Sequence, residues 1–120
     1  MSFATTPKVL SASTIAGDTV RNAADENLGE IKDLMIDLSS GRIAYAVLSF
    51  GGFLGIGDKL FAVPFKALTC DSDNKCFRLE VSQEQLERAH GFDKNNWPDM
   101  ADQTWQQEVH TVYGVDPYWS

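Results

Sequence analysis

Basic side chains are scarce in this chain of 120 residues, which carries 10 Lys and Arg against 17 Asp and Glu, a net charge of −7. Nucleic-acid affinity depends on Lys and Arg that neutralise phosphates, so this charge argues against a nucleic-acid partner. It equally disfavours electrostatic docking on an anionic membrane surface. Most of the acidic excess lies in residues 82–120, where seven acidic residues accompany two basic ones.

Long apolar runs are also missing. No stretch approaches the roughly 20 consecutive apolar residues that a membrane-spanning helix needs. The opening residues, MSFATTPKVLSAST, lack a basic segment followed by an apolar one, so they do not have the form of a secretory signal. We therefore predict one cytoplasmic domain with no membrane insertion.

Cysteine is limited to Cys70 and Cys76, which flank the acidic turn at residues 71–75. The turn lacks the glycine and closing glutamate of a calcium loop. Two sulfurs without a histidine nearby in sequence make a poor zinc site. We predict a hairpin with a reduced thiol at the foot of each strand, close enough to be oxidised to a disulfide without large rearrangement.

Groups able to support catalysis are few. Hydrolysis needs a nucleophile, a base and an orienting residue that converge. Of the two histidines, His90 is predicted at a helix end and His110 on the polar flank of the last helix, both structural or solvent-facing. Glu30, Asp33 and Asp37 lie along one predicted strand and fit a solvated face. We predict no enzymatic activity, no catalytic residue, no metal site and no cofactor.

Residues 43–65 organise the predicted fold, as two β-runs apolar on both faces and joined by a glycine-rich loop. In the preceding strand, residues 30–38, Ile31 is out of phase with the later apolar residues. A β-bulge near Lys32 and Asp33 would reconcile the two halves. The other predicted strands are residues 19–21, 68–70 and 77–81. Six short strands with a bulge and corner glycines favour a small closed barrel over a flat sheet.

The glycine-rich loop does not fit a phosphate site. A P-loop needs lysine directly after its last glycine, and Asp58 stands there instead. The loop does place Phe53, Leu54 and Ile56 where turn chemistry favours polar residues. We predict that this apolar cluster mediates self-association as a twofold dimer, in which the loop meets itself or the aromatic tail of the second subunit. The alternative is that the loop folds back over its own barrel end and buries the same side chains internally.

From residue 82 onward the pattern becomes helical. Ser82 and Gln85 have the form of a capping box that opens a short helix. A second helix is predicted to begin at Pro98 or Asp99 and to end at Gly114. Its apolar stripe is predicted to comprise Ala101, Trp105, Val109 and Val112. That stripe should pack on the barrel or on a second subunit.

Residues 17–81 resemble a PRC-barrel domain. The similarity is carried by Gly17-Asp18-Thr19-Val20, LGEIKDLMID over residues 28–37, Gly41-Arg42-Ile43-Ala44-Tyr45, the glycine loop and Val63-Pro64-Phe65. The resemblance implies a mainly β fold, a small six-stranded barrel with a C-terminal helical extension, that binds proteins and has no catalytic residues. We assign residues 1–81 to the barrel, with an N-terminal arm at 1–10. Residues 82–120 form the aromatic-rich extension, which resembles stand-alone bacterial PRC-barrel proteins.

The predicted function is that of a non-enzymatic adaptor or regulatory module, and we expect a homodimer. The family is similar to the cytoplasmic barrel of the photosynthetic reaction-centre H subunit and to the C-terminal barrel of a ribosome-maturation factor. One alternative is a soluble accessory of a membrane electron-transfer complex; another is a small-molecule or metal-binding sensor. The predicted interface residues are Phe53, Leu54, Ile56, Trp105, Tyr118 and Trp119.

Overall fold

The structure, a computed structural model, describes residues 9–50, 59–88, 91–93 and 95–116. In chain order its elements are α1 (Ala12–Ile15), β1 (Thr19–Arg21), β2 (Asn27–Asp37), β3 (Arg42–Phe50), β4 (Lys59–Pro64), β5 (Leu68–Asp71), β6 (Cys76–Leu79), α2 (Gln83–Arg88) and α3 (Gln103–Tyr113). A short 3-10 turn, Phe65–Ala67, joins β4 to β5. Within these described ranges, none of the helices has both the length and the hydropathy to cross a bilayer.

The six strands form one curled sheet in the order β4-β3-β2-β1-β6-β5. Neighbouring strands are antiparallel except β1 and β6, which are parallel. Phe65, just after edge strand β4, lies 6.2 Å from Phe77 of β6 between ring centroids. This contact between opposite ends of the sheet shows that it wraps into a half-barrel. The predicted mainly β fold of six strands with a C-terminal helix is confirmed, with the sheet curled into a half-barrel.

One face of the sheet encloses the hydrophobic core, and we call it the inner face. Five of the six strands contribute buried side chains to it, and α1 and α2 each add one. The core cluster comprises Ile15, Val20, Leu28, Ile31, Ala46, Leu48, Phe61, Val63, Phe77, Leu79 and Leu86. In β3, β4 and β6 alternate residues supply this set because successive side chains point to opposite faces.

Two irregularities bend the pairing of β2 with β3. The register shifts between Ile31 and Asp33, so Lys32 is an extra residue on β2, which confirms the predicted bulge. A second shift, between Met35 and Ile36, leaves Ala44 as an extra residue on β3. The hairpin beyond this shift extends past the core, and its apolar side chains become exposed.

The two strands approach each other closely at Gly29. Its φ is +105°, and a Cβ atom there would collide with the main-chain oxygen of Ser49 on β3. Only glycine both adopts this backbone conformation readily and leaves room for the neighbouring strand.

The predicted hairpin of β5 and β6 is present, but its register separates the cysteines. Cys70 pairs with Phe77, and Cys76 pairs with Asp71. Since Cys76 and Phe77 are consecutive, the two thiols point to opposite faces of the sheet. Cys70 packs against the core cluster, Cys76 is buried, and both are free. The expectation that they face each other, ready to form a disulfide, is therefore wrong.

The predicted capping box forms at the start of α2. Ser82 N–H donates to Gln85 Oε1 at 2.8 Å, and Gln85 N–H donates to Ser82 Oγ at 3.0 Å. Helix α3 ends at Gly114 in the left-handed conformation, as predicted. Its start differs, because Asp102 caps it by accepting from Thr104 N–H at 2.9 Å. The four residues from Asp99 form a separate turn in front of it.

Candidate interaction surface

The outer face of β3 and β4 is buried as completely as the inner face. Register places Val47 opposite Ala62 and Tyr45 opposite Pro64, on the side away from the core cluster. All four residues are buried. Helix α3 packs on β4 and supplies the cover. The C-terminal extension therefore contacts the barrel of its own chain.

Tyr45 is the centre of this contact and is only 1% exposed. Its ring lies 5.2 Å from Trp105 and 5.5 Å from His110 between centroids, with interplanar angles of 66° and 63°. Such edge-on aromatic pairs contribute about 0.5–1.5 kcal/mol each beyond the area that they bury. Trp105, a predicted interface residue, is half-buried against Tyr45. Its additional role at an interface between subunits stays a prediction.

The buried face of α3 contains polar residues, which corrects the predicted stripe. His110 is 2% exposed and Gln106 is 9% exposed, whereas Val112 is 57% exposed. The placement of His110 on the polar flank is therefore wrong. Its Nδ1–H donates to the main-chain oxygen of Gln106 at 2.6 Å, since a carbonyl only accepts. Gln106 Nε2 donates to the main-chain oxygen of Met100 at 2.7 Å.

Tyr113 extends the same buried face by one turn and packs against the core cluster. Burial raises the pKa of its phenol well above the ordinary value, because the charged form would lose its hydration. This ring is therefore a neutral packing group at physiological pH.

The segment leading to α3 is tied to the free edge of β4. Leu60 and Phe92 exchange two main-chain hydrogen bonds of 2.9 and 2.8 Å. The Phe92 ring lies 5.2 Å from that of Trp97. Gly91 leaves room for the ring of Phe61, which a Cβ atom there would approach to 2.9 Å. These contacts fix the path by which the chain reaches the outer face.

A cleft opens where the β2–β3 hairpin extends past the start of α3, and we call it the hairpin groove. Its volume is about 280 Å³. Most of its lining is apolar. Besides the hydroxyl of Tyr45, the polar lining residues are Asp37 and Gln106. The lining residues are Met35, Ile36, Asp37, Leu38, Ala44, Tyr45, Met100, Ala101 and Gln106. Ile36 is 53% exposed and Leu38 is 92% exposed, so the rim on the hairpin side is open and apolar.

The charge around the hairpin groove is mainly negative. Asp37 lines it, and Asp99 and Asp102 flank the Met100–Ala101 wall in sequence. None of the lining residues is basic. Arg42, which pairs with Asp37 across the ladder, is the nearest basic residue on the hairpin. From residue 95 to residue 120 the sequence contains four acidic residues and no Lys or Arg.

A second polar cluster, around Arg78, is structural. Arg78 Nη1 lies 2.7 Å from Asp25 Oδ1, and its Nε lies 3.0 Å from Asp71 Oδ2. Arg78 also donates to the main-chain oxygen of Asn22, whose buried side chain donates to that of Val81 at 2.9 Å. These bonds clamp the β1–β2 turn to β6. Hydrogen bonds from Asn74 and Arg78 hold the pKa of Asp71 below its usual value.

Several predicted positions lie outside the described residues. They are Phe53, Leu54, Ile56, His90, Tyr118 and Trp119. Their predicted roles therefore stay predictions. In the part of the chain that the structure describes, no group of three or more His, Cys, Asp or Glu is arranged to hold a metal ion.

The hairpin groove was not anticipated from the sequence. Its signal was available in Ile36 and Leu38, two large apolar residues directly before the polar turn Ser39-Ser40-Gly41. The alternation of the strand assigned them to one face with Leu34. It did not reveal that the core ends at Leu34, which is the last of the three to pack against it.

Comparison with protein families agrees with the architecture. The family model of the PRC-barrel domain matches residues 7–86, which include all six strands and the first part of α2. The match ends before α3, and the division of the chain at residue 82 stays a prediction. A search of curated proteins found no match. With two thirds of its length matched and the half-barrel in place, this chain belongs to the PRC-barrel domain family.

Proposed function

We propose that the chain is a non-enzymatic, cytoplasmic protein-binding module, an adaptor or regulatory unit, that binds its partner through the hairpin groove. The observation that supports this proposal is the exposure of Ile36 and Leu38 beside an apolar cleft. Scattered apolar residues are normal on a protein surface, but contiguous apolar patches mark interaction sites. Here the exposed pair is continuous with Met35 and Met100 in one concave surface.

The walls of the groove are preorganised, which favours binding. The β2–β3 ladder holds one wall. The hydrogen bond from Gln106 to the Met100 carbonyl fixes the other. The buried Tyr45, which also lines the groove, adds a rigid side chain between them. A rigid site loses less conformational entropy on binding than a flexible one, so more of the contact energy appears as affinity.

Site-directed cross-linking in native lysate tests this function. A photoreactive phenylalanine analogue replaces Leu38 in one variant and Val9 in the control, since both are highly exposed, at 92% and 86%. We expect a discrete protein adduct from position 38 that is missing from position 9. Adducts of equal pattern from both positions, or none from position 38, would contradict the proposal. Subunits of a membrane electron-transfer complex in the adduct would identify the chain as its accessory.

Self-association through the glycine-rich loop is part of the same proposal. It is supported by the sequence alone, which places Phe53, Leu54 and Ile56 among four glycines. In the second subunit, the loop is proposed to meet its own copy or the aromatic residues Trp105, Tyr118 and Trp119. Gel filtration with light scattering should find a dimer for the natural sequence. The double variant Phe53→Asp, Leu54→Asp should be a folded monomer, and a monomeric natural protein at high concentration would exclude the dimer.

A further inference from the structure

We infer that the hairpin groove takes a short protein segment in which large apolar side chains are flanked by Lys or Arg. The inference rests on the proposed function, because it specifies the partner chemistry for the same groove. Two properties carry it: an apolar floor of limited size and a rim whose charge is mainly negative.

The size of the groove suits side chains rather than a cofactor. Its volume of about 280 Å³ is at the lower limit of small-molecule sites, which span about 300–1,000 Å³. Two of the lining residues, Met35 and Met100, have flexible thioether side chains that adapt to apolar groups of different shape. One or two aliphatic or aromatic residues of a bound segment would bury themselves there, and would cover Ile36 and Leu38 as they did so.

The negative charge of the rim favours basic residues on either side of the apolar side chains that enter the groove. Asp37 borders the groove directly and lies opposite Arg42 in the ladder, and the exposed Asp99 and Asp102 flank Met100 and Ala101 in sequence, so acidic residues outnumber basic ones here. Complementary charge raises the association rate and excludes partners of like charge. A segment rich in Asp or Glu would meet repulsion here.

A second copy of this chain is a poor occupant for the same reason. Each copy carries a net charge of −7, and the acidic C-terminal segment forms one wall of the groove. Two grooves facing each other would bring Asp37, Asp99 and Asp102 of both copies together. The loop proposed for dimerisation, in contrast, contains only one charged residue, Asp58, in its first eight positions, 51–58.

Three labelled peptides of equal length provide the test. The first alternates Leu and Lys, the second alternates Leu and Glu, and the third alternates Gly and Lys. Binding is measured by fluorescence anisotropy at low and high salt. The proteins are the natural chain, Leu38→Ser and the matched control Val9→Ser, which changes an apolar residue of similar exposure. Ile36→Thr and Val112→Thr form a second matched pair, at 53% and 57% exposure.

Charge is tested separately with Asp37→Asn and Asp99→Asn. Each asparagine keeps an Oδ1 that can accept the hydrogen bond now made by the aspartate, from Ser39 N–H at 2.9 Å and from Ala101 N–H at 3.0 Å. The substitutions therefore remove charge while they preserve the local turns. We expect the double variant to bind the Leu–Lys peptide more weakly at low salt and equally at high salt.

The expected result is binding of the Leu–Lys peptide that falls about tenfold in Leu38→Ser and stays unchanged in Val9→Ser. If the Leu–Glu peptide binds as tightly with the same dependence on Leu38, the charge inference is wrong and the proposed protein-binding groove stands. If no peptide responds to Leu38→Ser, both are wrong. A dimer that Leu38→Ser dissociates would place a second copy in the groove and overturn the inference.

Discussion

The two faces of strands β3 and β4 are both buried, but by different chemistry. On the inner face, Leu48 and Phe61 join a cluster that is entirely apolar. On the outer face, the Tyr45 ring contacts His110 and Trp105 of α3. The inner face is enclosed mainly by the curled sheet, with one residue each from α1 and α2, whereas the outer face of β3 and β4 is covered by helix α3.

This difference explains where a binding surface can arise. On the inner face, every strand of the curled sheet contributes side chains to the same cluster or packs against it. The outer face is covered only as far as α3 extends. The groove forms near the start of α3, beside Met100 and Ala101, where the β2–β3 hairpin extends past the helix and is not covered by it. The cover on the outer face therefore ends where the candidate site begins.

The largest effect should come from Gly29→Ala, which tests how closely the sheet must pack. The new methyl group would collide with the Ser49 carbonyl and would also force alanine into a left-handed conformation. We expect a loss above about 4 kcal/mol, or failure to fold. Gly41→Ala is the control, since Gly41 has φ +75° and open space around it, and should cost only about 1–2 kcal/mol. Urea unfolding measures both, and equal losses would show that the strands can separate.

Leu48→Ala tests the inner face alone. Leu48 is 1% exposed within the core cluster, so the substitution removes buried apolar contacts and leaves a cavity. We expect the free energy of unfolding to fall by about 3–5 kcal/mol, measured by the urea midpoint. A loss below about 1 kcal/mol would mean that the inner face is loosely packed and the contrast with the outer face is absent.

Trp105→Ala tests the outer face in the same assay. Trp105 is only half-buried, and its partner Tyr45 keeps the contact with His110, so we expect a smaller loss of about 2–3 kcal/mol. Val112→Ala on the same helix is exposed and should change stability by less than about 0.5 kcal/mol. An unchanged midpoint for Trp105→Ala would show that α3 does not hold the outer face.

Much of the inner face could be predicted from the sequence. Period-two alternation identified Phe77 and Leu79 as inward residues, and the phase break after Ile31 located the bulge. These features are local, because the side-chain period of a strand is fixed by its backbone. The capping box of Ser82 and Gln85 could also be predicted because it is a local feature, formed by residues three apart in sequence.

The outer face could not be predicted in the same way. Helical spacing on α3 predicts an apolar stripe that includes Val112, whereas the sheet buries Gln106 and His110. Their burial depends on tertiary partners, the Tyr45 ring and the Met100 carbonyl, that no helical periodicity encodes. The hairpin groove was missed for a related reason. The sequence does not state where along the β2–β3 hairpin the helical cover stops.

Asp71→Asn tests the part of the outer face that is held together by ion pairs and not by a helix. The pKa of Asp71 is lowered in the folded state by Asn74 and Arg78. Its stabilising effect is therefore fully present above the unfolded pKa of about 3.9 and is lost as pH falls through the lower folded value. The natural chain should lose stability on acidification more steeply than Asp71→Asn, in urea midpoints compared between pH 6 and about 2.5. Asp73→Asn in the same exposed turn is the control, and parallel acid profiles for Asp71→Asn and the natural chain would refute the clamp.

The smallest effect on stability is expected for Leu38→Ser. A small effect is itself the predicted result, because it shows that Leu38 is not packed. Leu38 is 92% exposed, so its replacement removes almost no buried area, and the urea midpoint should correspond to a change within about 0.5 kcal/mol. The same variant is expected to lose peptide binding, which separates an open binding surface from a structural one. Val9→Ser should also leave the midpoint unchanged, since its exposure is similar. A loss above about 1 kcal/mol for Leu38→Ser alone would mean that Leu38 is packed in solution, against its own chain or a second copy. The hairpin groove would then not be available to a partner.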